Sequence, residues 1–219
     1  RTVLRMFHLA QNSSPHGFQR AAWLWTALGR LGGFRAQEFV MDKSDSIRYY
    51  VKPDGTKVVR AFTLKNFIFS DADRLSMTWK VALARPNTVQ YISTEYDIQK
   101  NRVNGQLISF AREDRFPEFC PVRIAIELVR FASALGATQP LDPLCLYKDD
   151  NGSVQYLTGS ALTRYFRFVT KLEFPSISSA DLYLISTHSI RVMACVLLHE
   201  AGKDGTYIKL RLRWKSNCF

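Results

Sequence analysis

The stretch THSIRVMACVLLHEAGKDGTYIKLRLRWKS, residues 187–216, carries the most informative pattern in this chain of 219 residues. Apolar residues recur at helical spacing over 189–201, which predicts an amphipathic helix. Gly202 follows and is typical of a helix stop. A second, short helix is predicted over 206–213.

The start of the first of these helices carries two chemically useful side chains. His188 and Arg191 are three positions apart and therefore share one helix face. Ser186 or Thr187 is the candidate N-cap. Because free backbone N–H groups and the helix dipole at an N-terminus favour an anion, the pattern predicts a phosphate site.

The composition supports an anionic partner. Lys and Arg outnumber Asp and Glu, giving a net charge of +11. Such a surplus favours polyanions, because each basic side chain on a phosphate releases a counterion. The apolar fraction of 47% is enough for a core. No apolar run approaches the roughly 20 residues of a membrane span, so we predict one soluble domain over 1–219 with no membrane partner.

Several other functions lack their motifs. His199-Glu200 has no second histidine at zinc-protease spacing, and Gly202-Lys203 has no upstream glycine of a phosphate-binding loop. The hydrolase motif G-x-S-x-G and a dinucleotide fingerprint are also absent. The four cysteines form no C-x-x-C pair, so we expect buried reduced thiols and neither a metal nor another cofactor.

The rest of the chain predicts a mixed fold, mainly α with a small antiparallel β-sheet. Helices are predicted over 19–31 (ended by Gly32-Gly33), 121–134 and 160–172. Strands are predicted over 61–69, 88–93 and 106–111, and a hairpin turning at Pro53-Asp54-Gly55 is predicted within 42–60.

Residues 187–216 resemble the tyrosine recombinases, or phage integrases. That family has an H-x-x-R box, an apolar helix ending in an L-L-x-x-G-like turn, a short helix, and a G-H or G-W dipeptide. Here Gly202 follows Arg191 by 11 residues and Trp214 follows Gly202 by 12, which are the family's spacings. The resemblance extends from about residue 17 and implies the DNA breaking-rejoining catalytic fold, with 42–60 as a hairpin insertion.

The resemblance implies a second arginine in an upstream T-G-x-R-x-x-E box, which residues 33–38 (GFRAQE) fit. Arg35 and Arg191 would then hold the two non-bridging oxygens of the scissile phosphate, since a guanidinium fork matches that geometry. His188 would donate a hydrogen bond to the phosphate and shuttle the proton of the nucleophile. A helix-cap arginine and a capped histidine are the plainer alternatives.

The resemblance also implies a hairpin lysine that protonates the departing 5′ oxygen. Lys100 is the first candidate and Lys57 the second. Trp214 stands where most members have His, and its indole N–H could donate to the phosphate. Glu38 is expected to orient the residues that contact the phosphate, rather than to take part in the reaction directly.

Two groups of basic residues are candidate contacts to the DNA backbone, with a solvated surface as the alternative. One is a stripe on the helix over 160–172 and the other surrounds the last short helix. Their members are Arg164, Arg167 and Lys171, and Lys209, Arg211, Arg213 and Lys215.

By the family's mechanism, a tyrosine attacks DNA, forms a 3′-phosphotyrosyl link, and needs neither ATP nor metal. That tyrosine is expected about nine residues after Trp214, beyond Phe219, while Tyr207 and Cys218 have the wrong spacing. With Arg1 in place of Met, this predicts a fragment cut at both ends. Double-stranded DNA is the expected partner, bound by a homo-tetramer inside the cell wherever the DNA lies.

Two alternatives stay open. The chain could be a degenerate, recombinase-derived protein that binds DNA without cutting it. It could also be a basic helical domain that binds RNA or protein, with a coincidental H-x-x-R pattern. In the second case Arg35, His188 and Arg191 would not converge in the fold.

Overall fold

A computed structural model describes residues 1–97 and 105–214. The helices are α1 Thr2–Gln11, α2 Phe18–Gly32, α3 Ala36–Phe39, α4 Trp79–Ala84, α5 Pro121–Ala134, α6 Gly159–Glu173, α7 Ser179–Leu184, α8 Ser189–Glu200 and α9 Gly205–Arg211. The strands are β1 Tyr49–Val51, β2 Lys57–Val59, β3 Phe67–Ser70, β4 Ser76–Met77, β5 Tyr91–Tyr96, β6 Gln106–Ala111, β7 Leu146–Lys148 and β8 Val154–Tyr156. Among these residues, none of the helices combines the length and the hydrophobicity that a membrane-spanning segment needs.

Helix α2 forms the centre of the fold. Residues 21–29 are all buried, as expected for a helix that is apolar on every side. It packs against α1, α5 and α8. This packing brings the C-terminal end of α2 close to the start of α8.

An aromatic cluster joins the end of α2 to the main sheet. Trp25 lies at its centre, and the ring centroids of Phe34, Phe39 and Phe62 are 5.5–6.4 Å from that of Trp25. Tyr96, the last residue of β5, is buried against Phe34 and Phe62. The sheet has the order β4-β3-β5-β6 and is antiparallel throughout.

The predicted class, mainly helical with small antiparallel sheets, is confirmed. Strand β6 has the predicted bounds, and the helices predicted over 19–31, 121–134, 160–172, 189–201 and 206–213 appear with ends shifted by at most two residues. The predicted hairpin within 42–60 forms as the separate two-stranded sheet β1-β2. Cys120 and Cys145 are buried free thiols, and Cys195 is a half-buried one.

Two strand predictions were partly wrong. The strand predicted over 61–69 begins only at Phe67, because Leu64–Asn66 forms a 3₁₀ turn. The carboxamide oxygen of Asn66 accepts from the N–H and the hydroxyl of Thr63, both at 2.8 Å, and fixes that turn. The strand expected over 88–93 lies three residues later, as β5. Helices α1, α4 and α7 and the hairpin β7-β8 were not predicted.

Candidate phosphate-binding site

The site begins at the glycine that ends α2. Gly33 has a φ of 57°, in the left-handed region that favours glycine. A Cβ at this position would lie 2.3 Å from Cδ2 of Leu212, so the close approach of the two segments also needs glycine. The carbonyl of Gly33 accepts hydrogen bonds from Arg191 Nη1 at 2.7 Å and Arg213 Nη2 at 3.3 Å.

Two arginines from distant parts of the chain meet beside this turn. Arg191, on α8, is only 4% exposed, and its Nη2 donates to the carbonyl of Leu212. Arg35, just before α3, donates from Nη2 to the carbonyl of Arg213 at 3.0 Å. Because Leu212 and Arg213 are consecutive, the two guanidinium groups lie close together.

One carboxylate is shared by this cluster. Glu38 is buried, and its Oε2 accepts from the backbone N–H of Arg35 and from Nη2 of Arg213, both at 2.8 Å. Its Oε1 lies 3.2 Å from the same Nη2 and 3.3 Å from Nη1 of Arg35. Two guanidinium groups therefore contact one carboxylate, and because Arg191 lies beside them the cluster has an excess of positive charge.

The electrostatics of the cluster reflect this excess. Burial, together with the positive charges of Arg35 and Arg213, lowers the pKa of Arg191 to about 9. The Cζ of Arg213 lies 3.6 Å from the ring centroid of Tyr96, and burial raises the pKa of that phenol to about 12. Tyr96 therefore stays neutral near pH 7. A bound anion would relieve the repulsion among the arginines.

Trp214 lies at the edge of the cluster, whereas His188 lies at the start of α8, three residues before Arg191. The Trp214 ring centroid is 5.4 Å from Cζ of Arg191, and its backbone N–H donates to Lys209 O at 2.9 Å. His188 is exposed, and its imidazole makes no hydrogen bond within the described part of the chain. His188 is itself the N-cap residue of α8, so the prediction of Ser186 or Thr187 as the N-cap was wrong. The hydroxyl of Ser186, two residues earlier, accepts a hydrogen bond from the backbone N–H of His188 at 3.2 Å.

Two members of the basic stripe on α6 bond to backbone carbonyls of the protein, although none of the three is buried. Arg164 is exposed. Arg167 donates to the carbonyls of Ile185 and Tyr183, at 3.0 and 2.7 Å. Lys171 donates to the carbonyl of Ile177 at 3.0 Å. Two of the three predicted DNA contacts thus bond to backbone groups in and beside α7.

The residues around the last short helix, the second basic group, differ in burial and in their contacts. Lys209 and Arg211 are both half-buried. Arg211 also donates to the carbonyl of Ser109 at 3.1 Å and stacks on Phe110. The side chain of Arg213 is fully buried, in contrast to the exposed position that a DNA contact needs. Lys100 and Lys215 lie outside the described residues, and the second candidate lysine, Lys57, is exposed on β2.

The backbone acceptors and the burial of Arg213 were not foreseen. The carbonyls of residues 33, 212 and 213 hold the arginines together, and backbone groups leave no signature in a sequence. Within 1–97 and 105–214, no group of three or more His, Cys, Asp or Glu could hold a metal.

No protein-family model matches this chain, and a search of curated proteins finds no similar one.

Proposed function

We propose that this chain binds double-stranded DNA and holds a scissile phosphate between Arg35 and Arg191, as part of a strand-exchange enzyme of the tyrosine-recombinase type. The observation that carries the proposal is the meeting of these two arginines at the carbonyls of residues 212 and 213. Each guanidinium has five N–H donors. Arg35 is a quarter exposed and offers its donors to the phosphate directly. Arg191 is 4% exposed and bonds to the carbonyls of Gly33 and Leu212, so a small outward shift of these backbone segments on DNA binding is part of the proposal.

In the proposed reaction, a tyrosine hydroxyl oxygen attacks the DNA phosphorus. A tyrosyl O–P bond forms while the bond from phosphorus to the 5′ oxygen breaks, which leaves a 3′-phosphotyrosyl link and a 5′ hydroxyl. The two arginines stabilise the charge that develops on the five-coordinate phosphorus. Another 5′ hydroxyl reverses the step, and no ATP is needed because the link keeps the energy of the phosphodiester.

The remaining roles concern protons and hydrogen bonds. His188 receives the tyrosine proton, and its exposed imidazole is suited to act as this general base. Lys100 protonates the 5′ oxygen. Trp214 lies beside Arg191 and supplies an indole N–H to the phosphate. Assembly into a tetramer on DNA belongs to the same proposal.

Removing Arg35 tests the proposed function most directly, because its side chain is a quarter exposed and its loss leaves the core intact. We expect R35A to weaken binding of inorganic phosphate and of a labelled DNA duplex by at least about tenfold, or roughly 1.4 kcal/mol. Calorimetry measures the phosphate affinity and fluorescence anisotropy the DNA affinity. R35K keeps the charge without the fork and is expected to be intermediate.

The matched control is R115A, which removes the same charge from an exposed arginine in the loop after β6. It should change the DNA affinity by less than about threefold, the effect of one rim charge. R191K, with folding checked by circular dichroism, should behave like R35K. If R35A and R115A bind both ligands equally, the arginine cluster is not the anion site, and the coincidental H-x-x-R alternative gains.

A further inference from the structure

Two energetic costs attach to the position of Arg213, one for its backbone conformation and one for its buried side chain. It follows α9 at the place where a helix commonly ends in a left-handed residue, with a φ of 59° where glycine is usual. The N–H of Trp214 closes this turn on Lys209 O. The side chain is also fully buried although it carries a charge. Both costs indicate a specific task for this guanidinium.

The contacts of Arg213 point to Glu38. Its Nη2 lies 2.8 and 3.2 Å from the two carboxylate oxygens, and the guanidinium lies over the Tyr96 ring. Its Nε and Nη1 have no hydrogen-bond partner in the described residues. The group is thus fixed by one carboxylate, one backbone carbonyl and one aromatic face.

Arg35 competes for the same carboxylate and holds it less closely. Its Nη1 is 3.3 Å from Oε1 of Glu38, and its side chain remains a quarter exposed. A carboxylate that is already paired has less to offer a second guanidinium. Without Arg213, the buried Glu38 would lose its closer cation, keep Arg35 as its remaining ion-pair partner, and draw that guanidinium inward.

We propose that Arg213 is a positioning residue, which occupies Glu38 and so keeps the guanidinium of Arg35 available to an anion. This inference rests on the proposed function of Arg35 as a phosphate ligand. It explains why the chain places a buried arginine, rather than glycine, immediately before Trp214.

The test compares R213M with the double variant R213M/E38Q. Phenylglyoxal labelling followed by peptide mass spectrometry reports how available Arg35 is, whether or not phosphate binds. In folded R213M we expect labelling of Arg35 to slow several-fold and the phosphate affinity to fall in parallel, because the Arg35 guanidinium then pairs more closely with Glu38. In R213M/E38Q both should return close to the wild-type values, since the competing charge is gone. Labelling of Arg115 is the internal control and should not change.

A merely structural Arg213 would give a different pattern. Unchanged Arg35 labelling in R213M, or no recovery in R213M/E38Q, overturns the positioning role. Should R213M not fold, R213K replaces it: its single ammonium pairs less fully with Glu38, so labelling should still slow, and unchanged labelling again overturns the role. The expected labelling pattern without any phosphate binding would instead refute the proposed function and leave the competition of Arg213 and Arg35 for Glu38 standing.

Discussion

Gly33 satisfies two requirements that no other residue type meets together. Its backbone is left-handed, and the side chain of Leu212 fills the space that a Cβ would take. Because its carbonyl also accepts from Arg191 and Arg213, a shift of this turn would move the acceptors of the site. Its role is thus both conformational and steric.

The variant G33A should lower the free energy of unfolding by about 2–4 kcal/mol, combining the cost of a left-handed alanine with that of overpacking. The matched control is G55A. Gly55 also has a positive φ, 83°, but a Cβ there meets nothing within 4 Å. G55A should therefore cost only about 1–2 kcal/mol. Chemical denaturation measures both values, and equal losses would contradict the steric part of the argument.

At this scale the sequence predicted the identity of the clustered residues better than their burial. The boxes around Arg35 and Arg191 singled out two side chains that do lie close together. The sequence places Arg213 in a basic group around the last short helix, because Lys209, Arg211, Arg213 and Lys215 form two i, i+4 pairs there. The helix ends at Arg211, however, and the left-handed turn directs the next basic side chain inward. A turn of this kind at a non-glycine residue gives no sequence signal.

Among the elements, α7 has no buried residue of its own. This explains why it was not predicted, since a helix without a buried face lacks apolar periodicity. Helix α5, which is long and has a buried stripe, was predicted with its correct bounds. Helix α7 is instead held by Arg167, which bonds to two backbone carbonyls and stacks on Tyr183 with Cζ 4.7 Å from the ring centroid.

Removing the Arg167 side chain should destabilise α7 without destabilising the rest of the fold. In R167A, we expect amide hydrogen exchange over residues 177–185 to rise by about tenfold or more, since hydrogen bonds from a charged group contribute roughly 1.5–3 kcal/mol each. The exchange of α2 and α5 should stay unchanged. R164A is the matched control because Arg164 lies on the same helix but is exposed. Equal exchange over residues 177–185 in the two variants would show that α7 is held by other contacts.

For the whole molecule, the candidate site is assembled from the first and last thirds of the described chain. Residues 33–38 meet residues 191 and 212–213, and α2 supports the first of these segments from the core. Assembly of the site therefore depends on the complete fold. The net charge of +11 does not depend on this assembly, and in the proposed function it would raise the rate of encounter with a polyanion.

The proposed binding to the DNA backbone predicts a steep dependence on salt, with a slope of log affinity against log salt concentration near −0.9 for each phosphate contacted. Removing an exposed contact such as Arg164 should make this slope shallower by about one and weaken binding to all sequences alike.

The matched control, R167A, removes the same charge from the same helix, but the Arg167 guanidinium is already bonded within the fold. It should therefore change the slope by much less. Anisotropy titrations at several salt concentrations measure both slopes. If R164A and R167A lower the slope equally, the α6 stripe acts as a diffuse charge, and the surface that meets DNA lies elsewhere.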